Sequence, residues 1–240
     1  STTAHPPYPG CGVKLDREYN ASGIGGSIVG TVVAQGAFPW MAFLYNFDRE
    51  ELGMDLIDLP DLPDSCKPKN TTTSSPSKEN KASKSSICGG SVINPRYILT
   101  AAHCVACRTI LDTAVVLGQN IVEVNMVKTD FQFLSKILVF PKYKRSVEED
   151  LKNNPDIAVL LVDREYRMKY GPKLNALCLP SNPSSLYEDE TMIIAGWGMT
   201  EKLKTSDKLM EATVQVFPNS DCRNTVCSNG IMCYDFLKRY

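Results

Sequence analysis

Only two histidines occur in the 240 residues, and one of them has neighbours suited to chemistry. His103 stands in Thr100-Ala101-Ala102-His103-Cys104, directly after the run ICGGSVINPRYIL at 87–99, which ends in an apolar alternation that reads as a strand. An imidazole at a strand end can take a proton from a hydroxyl near neutral pH. The run PDIAVLLVD at 155–163 begins with a carboxylate, Asp156, and continues as a buried strand; Asp150 and Asp163 are nearby carboxylates, but neither directly precedes IAVLL. A second chemistry stays open for the same histidine: His103, Cys104 and Cys107 have the ligand types of a metal site. Further soft ligands are not evident around them, so no metal and no cofactor is expected. His5 lies beside Pro6 and Pro7, in a segment that cannot build a packed site.

The elements that must position these groups are short and extended. Residues 28–45 hold two β-rich runs split by Gly36, with Pro39 at a strand start and MAFLY as a buried strand. Runs at SVINPRYILT, AVVLGQN, IVEVNMV, FQFLSKILVF, PDIAVLLVD, TMIIAGWGM and LMEATVQVF follow, separated by turns, with no long helical period. That spacing predicts an all-β barrel architecture. Residues 46–86 interrupt it. They are acidic from Asp48 to Asp64, then rich in Ser, Thr, Lys and Asn, as expected of a solvated insertion. Residues 1–27 are rich in Pro, Gly, Ser and Thr and read as an extended linker carrying Cys11.

Composition excludes several classes. A hydrophobic content of 43% supports a folded core, and a net charge of −1 gives no basic field for nucleic acid or anionic lipid. No apolar run approaches the length of a membrane-spanning helix. Nine scattered cysteines and the sequons at Asn20 and Asn70 predict disulfides, glycosylation and a secreted, extracellular protein.

The TAAHC stretch with its preceding CGGSVINPRYIL resembles the histidine region of the chymotrypsin-like (trypsin-fold) serine proteases. IVG at 28–30 with GAFPW at 36–40 is similar to the start of their catalytic domain. PDIAVL at 155–160 is similar to their aspartate motif, and AGWG at 195–198 to their Gly-Trp-Gly segment. All four occur in the family's order. Within the family, the linker with Cys11-Gly12 and the enlarged first loop look most like the clip-type proteases of arthropods.

The resemblance implies His103 as general base and Asp156 as the carboxylate that orients it. It implies bridges Cys88–Cys104, Cys11–Cys178 and Cys222–Cys233, leaving Cys66–Cys107 as an extra bridge on the insertion and Cys227 over. It also implies a propeptide-like linker over 1–27, a protease domain over 28–240, and activation that exposes Ile28. A double β-barrel is expected, the first barrel complete and the second truncated, with about three strands after residue 175. A Gly-Asp-Ser-Gly-Gly segment, which would carry the nucleophile, occurs nowhere in the chain. Ser27 and Ser91 follow glycines but lie on the wrong side of the fold. Two functions are therefore expected to compete: a secreted serine endopeptidase known here from an incomplete chain, acting on protein substrates, and a non-catalytic homologue that binds a cascade protease.

Overall fold

The computed structural model describes residues 10–12, 31–49, 66, 86–122, 131–144, 154–163, 170–182, 185–198, 205–218 and 233–234. The described residues form strands β1 (Thr31–Val32), β2 (Met41–Asn46), β3 (Ser86–Asn94), β4 (Tyr97–Thr100), β5 (Thr113–Leu117), β6 (Phe131–Val139), β7 (Ala158–Val162), β8 (Thr191–Gly196), β9 (Met210–Phe217) and β10 (Cys233–Tyr234) and one short helix, α1 (Ala102–Val105). Six of the strands close into a barrel in the order β2-β3-β4-β7-β6-β5, with every pair antiparallel. The other four form a second sheet in which β9 pairs with β8, β1 and β10. The fold is thus all-β, with one closed barrel and, among the described residues, one open four-stranded sheet.

Alternation along the strands explains two separate cores. In β2, Ala42 and Leu44 point into the barrel, where they meet Val92, Ile98, Val115 and Leu160. The intervening Met41 and Phe43 point the other way, toward Val116, Phe131, Trp197 and Leu209. The strand is buried on both faces, so it reads as a continuous apolar run. Trp197 docks the second sheet on the barrel: its ring sits edge-on to Phe43 at 5.4 Å, and its Nε1 donates to the Asn120 carbonyl at 3.3 Å. Gly90 is required where β3 crosses the barrel core. A Cβ there would lie 2.9 Å from both the Ile98 side chain and the Leu99 carbonyl.

The stretch SVINPRYILT is a hairpin rather than one strand. Asn94 Oδ1 accepts from the amides of Arg96 and Tyr97 at 2.9 and 3.0 Å, which turns the chain between β3 and β4. The insertion leaves the barrel through a hairpin as well, because Asn46 and Ser86 are register partners. At its start Arg49 is buried, 1% exposed. Its Nε donates to Asp112, whose other oxygen accepts from the Thr109 amide at 2.6 Å. Most of IVEVNMV, the rest of the insertion save Cys66, and the linker save 10–12 lie outside the described residues.

Candidate active site

The base candidate sits where β4 gives way to α1. Thr100 ends the strand with its hydroxyl on the Gly89 carbonyl at 2.7 Å, and the chain turns into a single helical turn containing His103. The cap residue, Ala101, has no side chain able to serve the first amides of that turn. Asp156 serves them from outside, two residues before β7. Its Oδ1 accepts from the His103 backbone amide at 2.7 Å, and its Oδ2 lies 2.6 Å from His103 Nδ1. One carboxylate thus holds both the backbone and the ring of the same residue. The competitor Asp163 instead directly follows β7, where its amide donates to the Phe133 carbonyl; Asp150 lies outside the described residues.

With Nδ1 donating to the carboxylate, Nε2 carries the lone pair, which is the arrangement a general base needs. Nε2 lies 3.4 Å from Cys104 Sγ. The pair is open to solvent, with side-chain exposures of 61% for His103 and 44% for Asp156. At that exposure the ion-pair energy is small, and the value of the contact is geometric.

The turn that carries His103 is fixed from behind. Asn46, 1% exposed, donates to the Cys104 carbonyl at 3.1 Å while its own Oδ1 accepts from Thr113 at 2.9 Å. Arg49 donates to the Cys107 carbonyl at 2.6 Å, and Arg108 reaches Asp112 at 3.3 Å. Burial lowers the pKa of Arg108, and Asp112 opposes that shift. Sequence reasoning missed Asn46, Arg49 and Asp112. The one local signal was the three-residue spacing of Thr109 and Asp112; nothing in a sequence marks a partner 63 residues away.

Three bridges join described cysteines: Cys11–Cys178, Cys66–Cys107 and Cys88–Cys104. Cys88, His103 and Cys104 bring three potential metal-ligand atoms within 4.8 Å. Both sulfurs are spent in the disulfide and Cys107 is bonded to Cys66, so no thiolate is left to bind an ion through this set. The Cys222–Cys233 pair, Cys227, the sequons at Asn20 and Asn70, Ile28, Ser27 and His5 lie outside the described side chains. Ser91 is in β3 and lines a cavity of about 450 Å³. That cavity lies between β2, β3 and β4 on one side and Ala195, Gly196, Trp197 and Gly198 on the other. His103 does not line it; Cys88 is the link between the two.

A closed barrel packed on a second antiparallel sheet, with a carboxylate-held imidazole at a strand end, defines a class of all-β proteins. Comparison with known proteins narrows the class. The sequence model described as Trypsin matches residues 67–239. CLIP domain-containing serine protease B4 of Anopheles gambiae is 31% identical over 164 residues, covering 60% of this chain and 42% of that protein. Phenoloxidase-activating factor 3 of Holotrichia diomphalia is 29% identical over 210 residues, covering 80% and 56%. The ovochymase of Halocynthia roretzi is 31% identical over 142 residues, 59% of this chain but 9% of that protein. The chain thus spans little more than half the length of these relatives at most. Among solved structures, an HL collagenase superposes with a TM-score of 0.55 at 20% identity, covering 86% of this chain and 72% of that one. The chain belongs to the trypsin family. The family match begins at residue 67, yet β2 closes the barrel from residues 41–46, so the folded unit starts well before it.

Proposed function

We propose that this chain carries the base and orienting carboxylate of a secreted serine endopeptidase that hydrolyses peptide bonds in protein substrates. His103 Nε2 takes the proton of a serine hydroxyl, and Asp156 fixes the tautomer and stabilises the imidazolium that forms. The observation that carries this reading is the double contact of Asp156, 2.7 Å to the backbone and 2.6 Å to the ring of His103. A carboxylate used only to close a turn would not also need the ring nitrogen. In this reading residues 1–27 are a propeptide-like linker tied to the protease domain, 28–240, by Cys11–Cys178. Residues 46–86 are an insertion closed by Cys66–Cys107. Three disulfides support an oxidising, extracellular location. Among the described residues no helix is long and apolar enough to cross a membrane.

A second reading, a non-catalytic homologue that binds a cascade protease, is favoured by one observation. The ring atoms of His103 meet Asp156 and Cys104 Sγ, and no described serine hydroxyl. One experiment separates the two. The native product is captured with an antibody to the β3–β4 hairpin and treated with a biotinylated fluorophosphonate. A labelled serine, with labelling abolished in His103→Ala, supports the endopeptidase. A folded native product that takes no label leaves the binding role.

A further inference from the structure

His103 Nε2 lies 3.4 Å from Cys104 Sγ while Nδ1 is held by Asp156 at 2.6 Å. The three groups form a line of sulfur, imidazole and carboxylate. The sulfur is already in a bond that can be broken, Cys88–Cys104. We infer that this bridge is a thiol–disulfide exchange site, attacked at Cys88 by an external thiol and gated by His103. Exchange needs no serine nucleophile, so this inference stands apart from the peptidase reading.

The two sulfurs differ in a way that sets the direction of attack. Cys88 is partly exposed, whereas Cys104 is buried at 9% exposure. An incoming thiolate therefore meets Cys88 Sγ, and Cys104 becomes the leaving sulfur. A good leaving thiolate speeds exchange, and a thiolate beside an imidazolium is a good one. In the first step a thiol RSH gives its proton to solvent or buffer, and its sulfur forms a bond to Cys88 Sγ. The Cys88–Cys104 bond breaks, and its electron pair leaves on Cys104, beside a proton that His103 Nε2 takes up from the same solvent or buffer. With a dithiol, the second thiol displaces Cys88 and closes the dithiol into its cyclic disulfide. The dithiol is oxidised by two electrons, and Cys88 and Cys104 end as two thiols. In the reduced state Cys104 holds Nε2, so the imidazole is no longer free as a base, and β3 is uncoupled from α1.

The test uses the full oxidised chain. A monothiol, 2-mercaptoethanol, is added near pH ~7, below the ordinary thiol pKa of about 8.5. The reaction is stopped with acid, and adducts are located by peptide mass spectrometry. The expected adduct is on Cys88 with Cys104 free. In His103→Gln, exchange at this bridge falls about tenfold, while exchange at the exposed Cys11–Cys178 bridge is unchanged. An adduct mainly on Cys104, or equal rates in His103→Gln and the parent chain, overturns the inference. If His103→Gln does not fold, the site of the adduct on the parent chain decides alone.

Discussion

Asp112→Ala is the substitution with the most to lose. Asp112 is fully buried and accepts from Arg49, from Arg108 at 3.3 Å, and from the amide and hydroxyl of Thr109 at 2.6 and 3.0 Å. Removing it takes the shared carboxylate from the buried Arg49 and Arg108 guanidinium groups, and Asp48 remains as the acidic group acting on Arg108. Arg49 Nη1 already has no hydrogen-bond partner among the described residues. Breaking a buried pair in this sense costs about 3–5 kcal/mol. At ~2–4 °C per kcal/mol for a domain of this size, the melting midpoint falls by about 6–20 °C. Arg49→Met is the informative contrast. It removes one charge, keeps much of the apolar stem, and leaves Asp112 bonded to Arg108 and Thr109, so it costs about 1–2 kcal/mol. Both values are read from urea unfolding without reductant. If Asp112→Ala unfolds within ~1 kcal/mol of the parent chain, or if Arg49→Met is the costlier change, the carboxylate is not the hub of this cluster.

Other substitutions probe the frame around the histidine. Gly90→Ala drives a methyl to 2.9 Å from Ile98 and from the Leu99 carbonyl and is expected to cost about 1–3 kcal/mol, whereas Gly89→Ala, which meets nothing within 4 Å, stays within ~1 kcal/mol of the parent in the same melts. Asn46→Ala strands the Cys104 carbonyl and the Thr113 hydroxyl and is expected to lower stability by about 1–3 kcal/mol by urea unfolding. A loss below ~0.5 kcal/mol would mean that water replaces the amide at the back of the helical turn.

Much of the β-structure was legible from its punctuation. Runs such as MAFLY, PDIAVLLVD and LMEATVQVF are apolar, short and bounded by turn residues, and each became a strand at nearly the expected place. The hairpin inside SVINPRYILT was missed although Asn94-Pro95 is a turn signal, because the apolar residues on either side were read as one run. Asp156 was singled out because PDIAVL resembles the aspartate motif of the family. Its second bond, to the His103 amide, depends on how α1 and β7 lie together and leaves no trace in either segment. Arg49 was missed for a different reason. Among acidic neighbours it looks like surface charge, and only the fold reveals that its partner, 63 residues on, is buried.

The double role of Asp156 leads to an outcome that separates structure from chemistry. The His103 amide is a donor and cannot change. In Asp156→Asn the carboxamide oxygen must therefore stay on that amide, and the NH₂ group is turned toward ring Nδ1. Two donors cannot share that contact, so the proton moves from Nδ1 to Nε2 and the ring flips tautomer. The cap survives and the contact is open to solvent, so stability changes by less than ~1 kcal/mol. The lone pair needed for proton abstraction is now on the wrong nitrogen. With two histidines in the chain, selective ¹⁵N labelling gives two ring spin systems, and only that of His103 should change. At pH ~8.5, where an ordinary imidazole is neutral, the parent chain is expected to show a protonated Nδ1 at His103 and the variant a protonated Nε2. A variant that keeps the proton on Nδ1 would show that the carboxylate does not set the tautomer. The hydrogen bond to the backbone would then be the only role of Asp156, and the case for His103 as an oriented base would fall with it.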